Sequence, residues 1–81
     1  MSDSRFLNLE ELRKAIDMGL DIEFYLRNNR YNISWEDKPF IGVCPDGDAV
    51  FFEDADDLLL NYKVDGVSLN ELWHEIVIIA I

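Results

Sequence analysis

Two short alternations of apolar and polar residues, separated by a pair of asparagines, constrain this chain more than any other feature. Ile22, Phe24 and Leu26 alternate with Glu23, Tyr25 and Arg27, and after Asn28 and Asn29 the pattern resumes with Tyr31, Ile33 and Trp35. A period of two is that of a half-buried strand, and asparagine tolerates the positive φ that a tight hairpin loop requires. A two-residue loop at Asn28 and Asn29 pairs Leu26 with Tyr31, Phe24 with Ile33 and Ile22 with Trp35, which puts every apolar member on one face. The other face then carries Glu23, Tyr25, Arg27, Arg30, Asn32 and Ser34. A slip by one residue would set Asn32 and Ser34 against the apolar row, so the alternation fixes which face is buried.

The flanking segments extend this hairpin into an α+β domain. Asn8 followed by Glu11 has the spacing of a capping box, and Leu9, Leu12, Ile16 and Met18 recur at roughly helical intervals before Gly19, which predicts a helix over residues 9–18. Residues 40–44 and 49–52 read as two more strands around the turn formers Pro45, Asp46 and Gly47. Short connections make a four-stranded antiparallel meander the simplest arrangement. A bulge at Gly47 decides whether Phe51 or Phe52 faces the core, and the pattern leaves both open.

From Asp54 a short helix carries Leu58, Leu59 and Tyr62, and Ser68 with Glu71 repeats the capping-box spacing ahead of a stripe formed by Leu69, Leu72, Trp73 and Ile76. The expected core joins Phe24, Ile33, Trp35, Leu59, Leu72 and Trp73. Residues 76–81 are apolar at every position, which is far short of the roughly 20 residues that span a bilayer. Their β-branched content suits a strand and continuation of the stripe suits a helix. The expected fold is therefore an N-terminal helix, a four-stranded antiparallel meander and two C-terminal helices with an apolar terminal segment, in a single domain over residues 1–81. An apolar segment of this kind needs cover on both sides, from an inner-strand position or from a second copy of the chain.

Charge narrows the partners. The chain has 81 residues, with Asp and Glu numbering 17 against 7 Lys and Arg, for a formal charge of −10. Residues 1–40 hold eight acids and six bases, net −2, whereas residues 41–81 hold nine acids and one base, net −8. Asp46, Asp48, Glu53, Asp54, Asp56 and Asp57 share a window that contains no base. Such a balance disfavours direct contact with nucleic acid or an anionic membrane and favours a basic protein surface. Asp54, Asp56 and Asp57 also have a local use, because carboxylates in a helix cap and first turn meet unpaired amides and the positive end of the dipole.

Catalytic chemistry finds little material. His74 is the only histidine and Cys44 the only cysteine. A zinc site needs more His or Cys ligands, and Asp46, Asp48 and Glu53 lack the spacing and glycine placement of an EF-hand loop, which leaves calcium a minor alternative. Acids beside Cys44 make it a poor site for a thiolate nucleophile. No glycine-rich phosphate loop is present, and a domain of this length has little chain to spare for a deep cleft. The expectation is a protein that is not an enzyme and uses no cofactor or metal. A polar amino terminus and a single cysteine point to the cytoplasm.

The order Ile22-Glu23-Phe24, Tyr31-Asn32-Ile33, Phe51-Phe52-Glu53, Leu58-Leu59 and the stretch from Asp65-Gly66 through Ser68-Leu69 to Trp73 resembles small uncharacterised α+β proteins of Gram-positive bacteria and their prophages. The resemblance covers most of the chain and implies a bacterial or phage origin, with no catalytic or binding residues to transfer. Together these readings predict a small acidic non-catalytic interaction module, of the inhibitor, immunity or anti-defence type, that binds a basic surface of a nucleic-acid-binding partner through Asp46, Asp48, Glu53, Asp56 and Asp57. The alternative is a structural or assembly subunit that forms a homodimer through its apolar C-terminus.

Overall fold

Asn8 starts the first helix as its spacing predicts. A computed structural model describes residues 4–44 and 47–81, and in it the Asn8 side-chain oxygen accepts the Glu11 amide at 2.8 Å to begin α1, Leu9–Asp17. The Glu11 carboxylate reaches back to the Leu7 amide, also at 2.8 Å. Gly19, at φ +75°, ends the helix: its amide donates to the Ile16 carbonyl and the Leu20 amide to that of Ala15, the paired bonds of a Schellman cap. Leu12, Ala15 and Ile16 form the buried stripe.

The hairpin forms with its faces as read but with its register moved by two residues. Strand β1, Ile22–Leu26, pairs with β2, Asn29–Glu36, so that Ile22 faces Ile33, Phe24 faces Tyr31 and Leu26 faces Asn29. The loop is Arg27-Asn28, at φ 50° and 69°, rather than Asn28-Asn29. A shift of two leaves every side chain on its own face, so alternation alone cannot separate the two registers. Tertiary bonds do. The Arg27 guanidinium grips Glu75 at 2.9 and 3.1 Å and Asp65 at 3.3 Å, which holds Arg27 in the left-handed conformation that a type I′ loop demands. Trp35, freed from opposite Ile22, donates its indole N–H to the Ile16 carbonyl at the end of α1.

Strand β3, Lys38–Cys44, follows the turn at Asp37 and pairs along β2 from Glu36 opposite Lys38 to Arg30 opposite Cys44. Strand β4 is only Val50–Phe51, with Phe51 opposite Phe40. Those two rings meet at 5.1 Å on the outer face, while Phe52 turns inward against Tyr62, so Phe52 is the residue that packs on the core. The Asp54 carboxylate caps α2, Ala55–Asn61, by accepting the Asp57 amide at 2.8 Å.

Three expectations for the C-terminal third are corrected. A two-stranded ribbon, β5 (Lys63–Val64) and β6 (Val67–Ser68), closes through Asp65 and Gly66, both at positive φ. Ser68 precedes α3, Leu69–Leu72, without forming a side-chain cap; its backbone pairs with Lys63 across the ribbon, and the Leu69 amide donates to the Tyr62 carbonyl. The expected long stripe breaks: α3 tightens into a 3₁₀ turn, Trp73–Glu75, and Ile76 leaves it in extended conformation. The apolar end becomes β7, Val77–Ala80, antiparallel to β1, so the sheet has one strand more than the predicted four-stranded meander, added beside β1 from the far end of the chain in the order β4-β3-β2-β1-β7.

The helices cover one face of this sheet. Phe24, Ile33, Leu59 and Leu72 are buried as expected, along with Leu12, Ile16, Ile22, Ile41, Leu58, Leu69 and Ile76. Trp35 and Trp73 are only half-buried: the first bridges to α1, and the second is left at the margin when the helix tightens. The terminal strand is tied in at its far side as well, since the Ile78 amide donates to the Ser4 carbonyl at 2.6 Å and Arg5 donates to the His74 carbonyl at 3.0 Å.

Candidate functional site

The first turn of α2 gathers the carboxylates. Glu53 meets the Lys38 ammonium at 2.7 Å, where β3 begins. Asp56 lies 3.8 Å from Arg13 of α1, whose guanidinium also bonds Glu10 at 2.9 Å and Asp17 at 3.1 Å. Asp57 is half-buried and serves the turn itself, accepting the Glu53 amide at 2.9 Å and the Asn61 side-chain amide at 2.6 Å. Asp48 lies farther along β3, beside Gly42, where an added Cβ would stand 3.4 Å from the Asp48 carbonyl. At about 3.3 Å per strand residue, that separates it from the Lys38 end by about 13 Å. Asp46 falls outside the described residues.

The structure therefore brings Glu53, Asp56 and Asp57 together, sets Asp48 apart and recruits acids from the first half of the chain. Glu10, Asp17, Glu36, Asp37, Glu53, Asp54, Asp56 and Asp57 lie along one rim formed by α1, the β2–β3 turn and the start of α2, around Arg13 and Lys38. The acidic window is not as bare in space as along the chain, because Arg13 and Lys38 reach it from elsewhere. Of the added acids, Glu10 and Asp17 carry a readable signal in their helical spacing about Arg13. Glu36 and Asp37 enter only through the pairing of β2 with β3.

These ion pairs are exposed, and surface pairs contribute little individually. Hydrogen bonding from Arg13 holds the Glu10 carboxyl below its ordinary value, and Arg27 does the same for Glu75. Both contributions are present above the ordinary carboxylate range and are lost as pH falls through the lowered values. Self-repulsion within a chain of charge −10 opposes the compact state and is screened by salt. Added sodium chloride is thus expected to raise the melting temperature of the dilute protein at neutral pH. A melting temperature that falls with salt would show instead that the surface pairs dominate.

Elsewhere, chemistry-bearing groups are sparse. An apolar depression of about 320 Å³ lies between α1 and the terminal strand, lined by Ala15, Met18, Leu20 and Ile78, with Lys14 and Glu11 at its rim. Small-ligand sites combine such a surface with polar groups aimed inward, and here the Glu11 carboxylate is already engaged by the Leu7 amide. Cys44 is half-buried on β3, and His74 is exposed on the 3₁₀ turn with its ring 5.9 Å from that of Trp73. Among the described residues, no three His, Cys, Asp or Glu side chains converge as a metal site, and no helix is long and apolar enough to cross a membrane.

No family model, curated protein or solved structure matches this chain. A functional reading therefore rests on the chemistry of its surface.

Proposed function

We propose that the chain is a small non-catalytic interaction module that docks its acidic rim on a basic protein surface. The observation that carries this reading is the convergence of Glu53, Asp54 and Asp56 with Glu10, Asp17, Glu36 and Asp37 around Arg13 and Lys38. Local structure accounts for Asp54 and Asp57, but helix capping does not require acids from three separate elements to share one rim. A surface that binds nucleic acid is built to meet closely spaced phosphates, and a row of carboxylates presents the same sign of charge. An inhibitor, immunity-type or anti-defence protein of a bacterium or phage, acting in the cytoplasm on a nucleic-acid-binding target, fits this chemistry. Asp48 stands apart from this rim, beside Gly42 of β3.

The test compares two reversals that change net charge equally, using an arginine-rich peptide as the basic probe. Asp56→Lys on the rim is expected to slow association about tenfold and to flatten its salt dependence. Glu71→Lys, on α3, is expected to leave the rate within about twofold. Equal losses from both variants would mean that overall charge, and not the rim, attracts the probe.

A further inference from the structure

Two steps in the chain place glycine directly after aspartate, Asp46-Gly47 and Asp65-Gly66, and the fold treats their glycine amides differently. An Asp-Gly step is chemically labile. Because glycine has no side chain to shield its amide, that nitrogen can attack the aspartyl carboxyl group in front of it and close a five-membered ring. The Gly47 amide is already engaged: it donates to the Val43 carbonyl at 2.6 Å, and a Cβ added at Gly47 would stand 2.6 Å from that oxygen and 2.9 Å from the Val43 Cβ. Both its nitrogen and its space are taken. The Gly66 amide makes no hydrogen bond among the described residues, and a Cβ added at Gly66 would meet nothing within 4 Å.

Asp65 and Gly66, at φ 54° and 81°, form the tip that joins β5 to β6, outside the ladder in which Val64 faces Val67 and Lys63 faces Ser68. The Asp65 side chain is 68% exposed and is held by Arg27 at 3.3 Å, while the shorter bonds of that guanidinium go to Glu75. Ring closure requires the Asp65-Gly66 peptide to turn until the amide nitrogen meets Cγ, and no packed neighbour opposes that rotation. We propose that Asp65 is a site of spontaneous isomerisation to isoaspartate in the folded protein, and that the fold directs this reaction away from the Asp46-Gly47 step. The Gly66 nitrogen bonds to Cγ of Asp65, and the amide proton leaves with the carboxyl hydroxyl as water. Water then reopens the ring. Cleavage of the new bond restores aspartate, whereas cleavage of the original peptide bond routes the main chain through Cβ and Cγ and leaves the free carboxylate on Cα. The turn is then one backbone atom longer and its carboxylate one methylene shorter, so the contact with Arg27 is lost and Glu75 alone holds the guanidinium.

Peptide mapping with electron-transfer fragmentation, which distinguishes the two isomers, tests this on the full chain kept for weeks at neutral pH and physiological temperature. Isoaspartate is expected to accumulate at Asp65 at least about fivefold faster than at Asp46, because reaction at Asp46 first requires the Gly47 amide to break from Val43. In concentrated urea the two rates are expected to come within about twofold, since unfolding frees both amides. Equal rates in native buffer, or faster reaction at Asp46, would overturn the proposal. So would a native chain that forms no isoaspartate at Asp65 while the urea sample does. A preference for Asp65 that persists unchanged in urea would overturn it as well, because local sequence and not the fold would then set the site.

Discussion

Phe24→Ala is expected to lower the melting temperature by more than about 15 °C and to leave the domain near its folding limit. Phe24 is fully buried at the centre of β1, stacks on Tyr31 at 5.5 Å and lies opposite Ile78 of the terminal strand. Truncating a buried phenylalanine costs about 3 to 5 kcal/mol, because the loss of transfer energy is joined by a cavity that rigid neighbours cannot fill. At roughly 0.05 to 0.15 kcal/mol per residue, a chain of this length has only about 4 to 12 kcal/mol in all. In domains of this size each kcal/mol moves the midpoint by about 4 to 8 °C. A thermal melt followed by circular dichroism checks the prediction, and an unchanged midpoint would mean that β1 is not the centre of the core.

A chain ending at Glu75 is expected to lose cooperative folding altogether. The deletion removes Ile76, which is fully buried, and Ile78, which packs against the same cluster. It also strips β1 of its second neighbour, changing a central strand into an edge one. The backbone groups of β1 that bonded β7 and the hydrophobic surface beneath would both meet water. One buried isoleucine accounts for about 2 to 5 kcal/mol, so the whole segment approaches the total stability. Near-ultraviolet dichroism and a urea titration would report the outcome. A sharp transition in the shortened chain would show that β7 is an accessory strand.

What the sequence disclosed follows the range of the interactions concerned. The burial of Ile22, Phe24, Leu26, Tyr31 and Ile33 was readable because face depends on a period of two, which survives a register shift of two. The loop itself was not, since Arg27 takes a left-handed conformation under the hold of Glu75 and Asp65, residues far along the chain. The Asn8 cap is local and was legible; Ser68 has the same spacing, but it sits in the β5–β6 ribbon, a pairing outside the helix that spacing does not reveal, and its side chain makes no cap. Residues 76–81 balanced strand propensity against helical periodicity until the 3₁₀ turn released Ile76. For the candidate site, a count of acids along the sequence found Glu53, Asp56 and Asp57. It overlooked Glu36 and Asp37, and the compensation from Arg13 and Lys38, because these meet α2 only through tertiary packing.

Amide chemical-shift mapping during titration with the arginine-rich peptide at physiological salt tests the acidic-rim reading most directly. Perturbations are expected at Glu53, Asp54, Asp56 and the first turn of α2, at Asp17 on α1 and at Glu36 and Asp37, and they should fade as salt is added. Perturbations centred on Asp65, Glu71 and Glu75, or on Tyr25 and Arg30 of the outer sheet face, would contradict it.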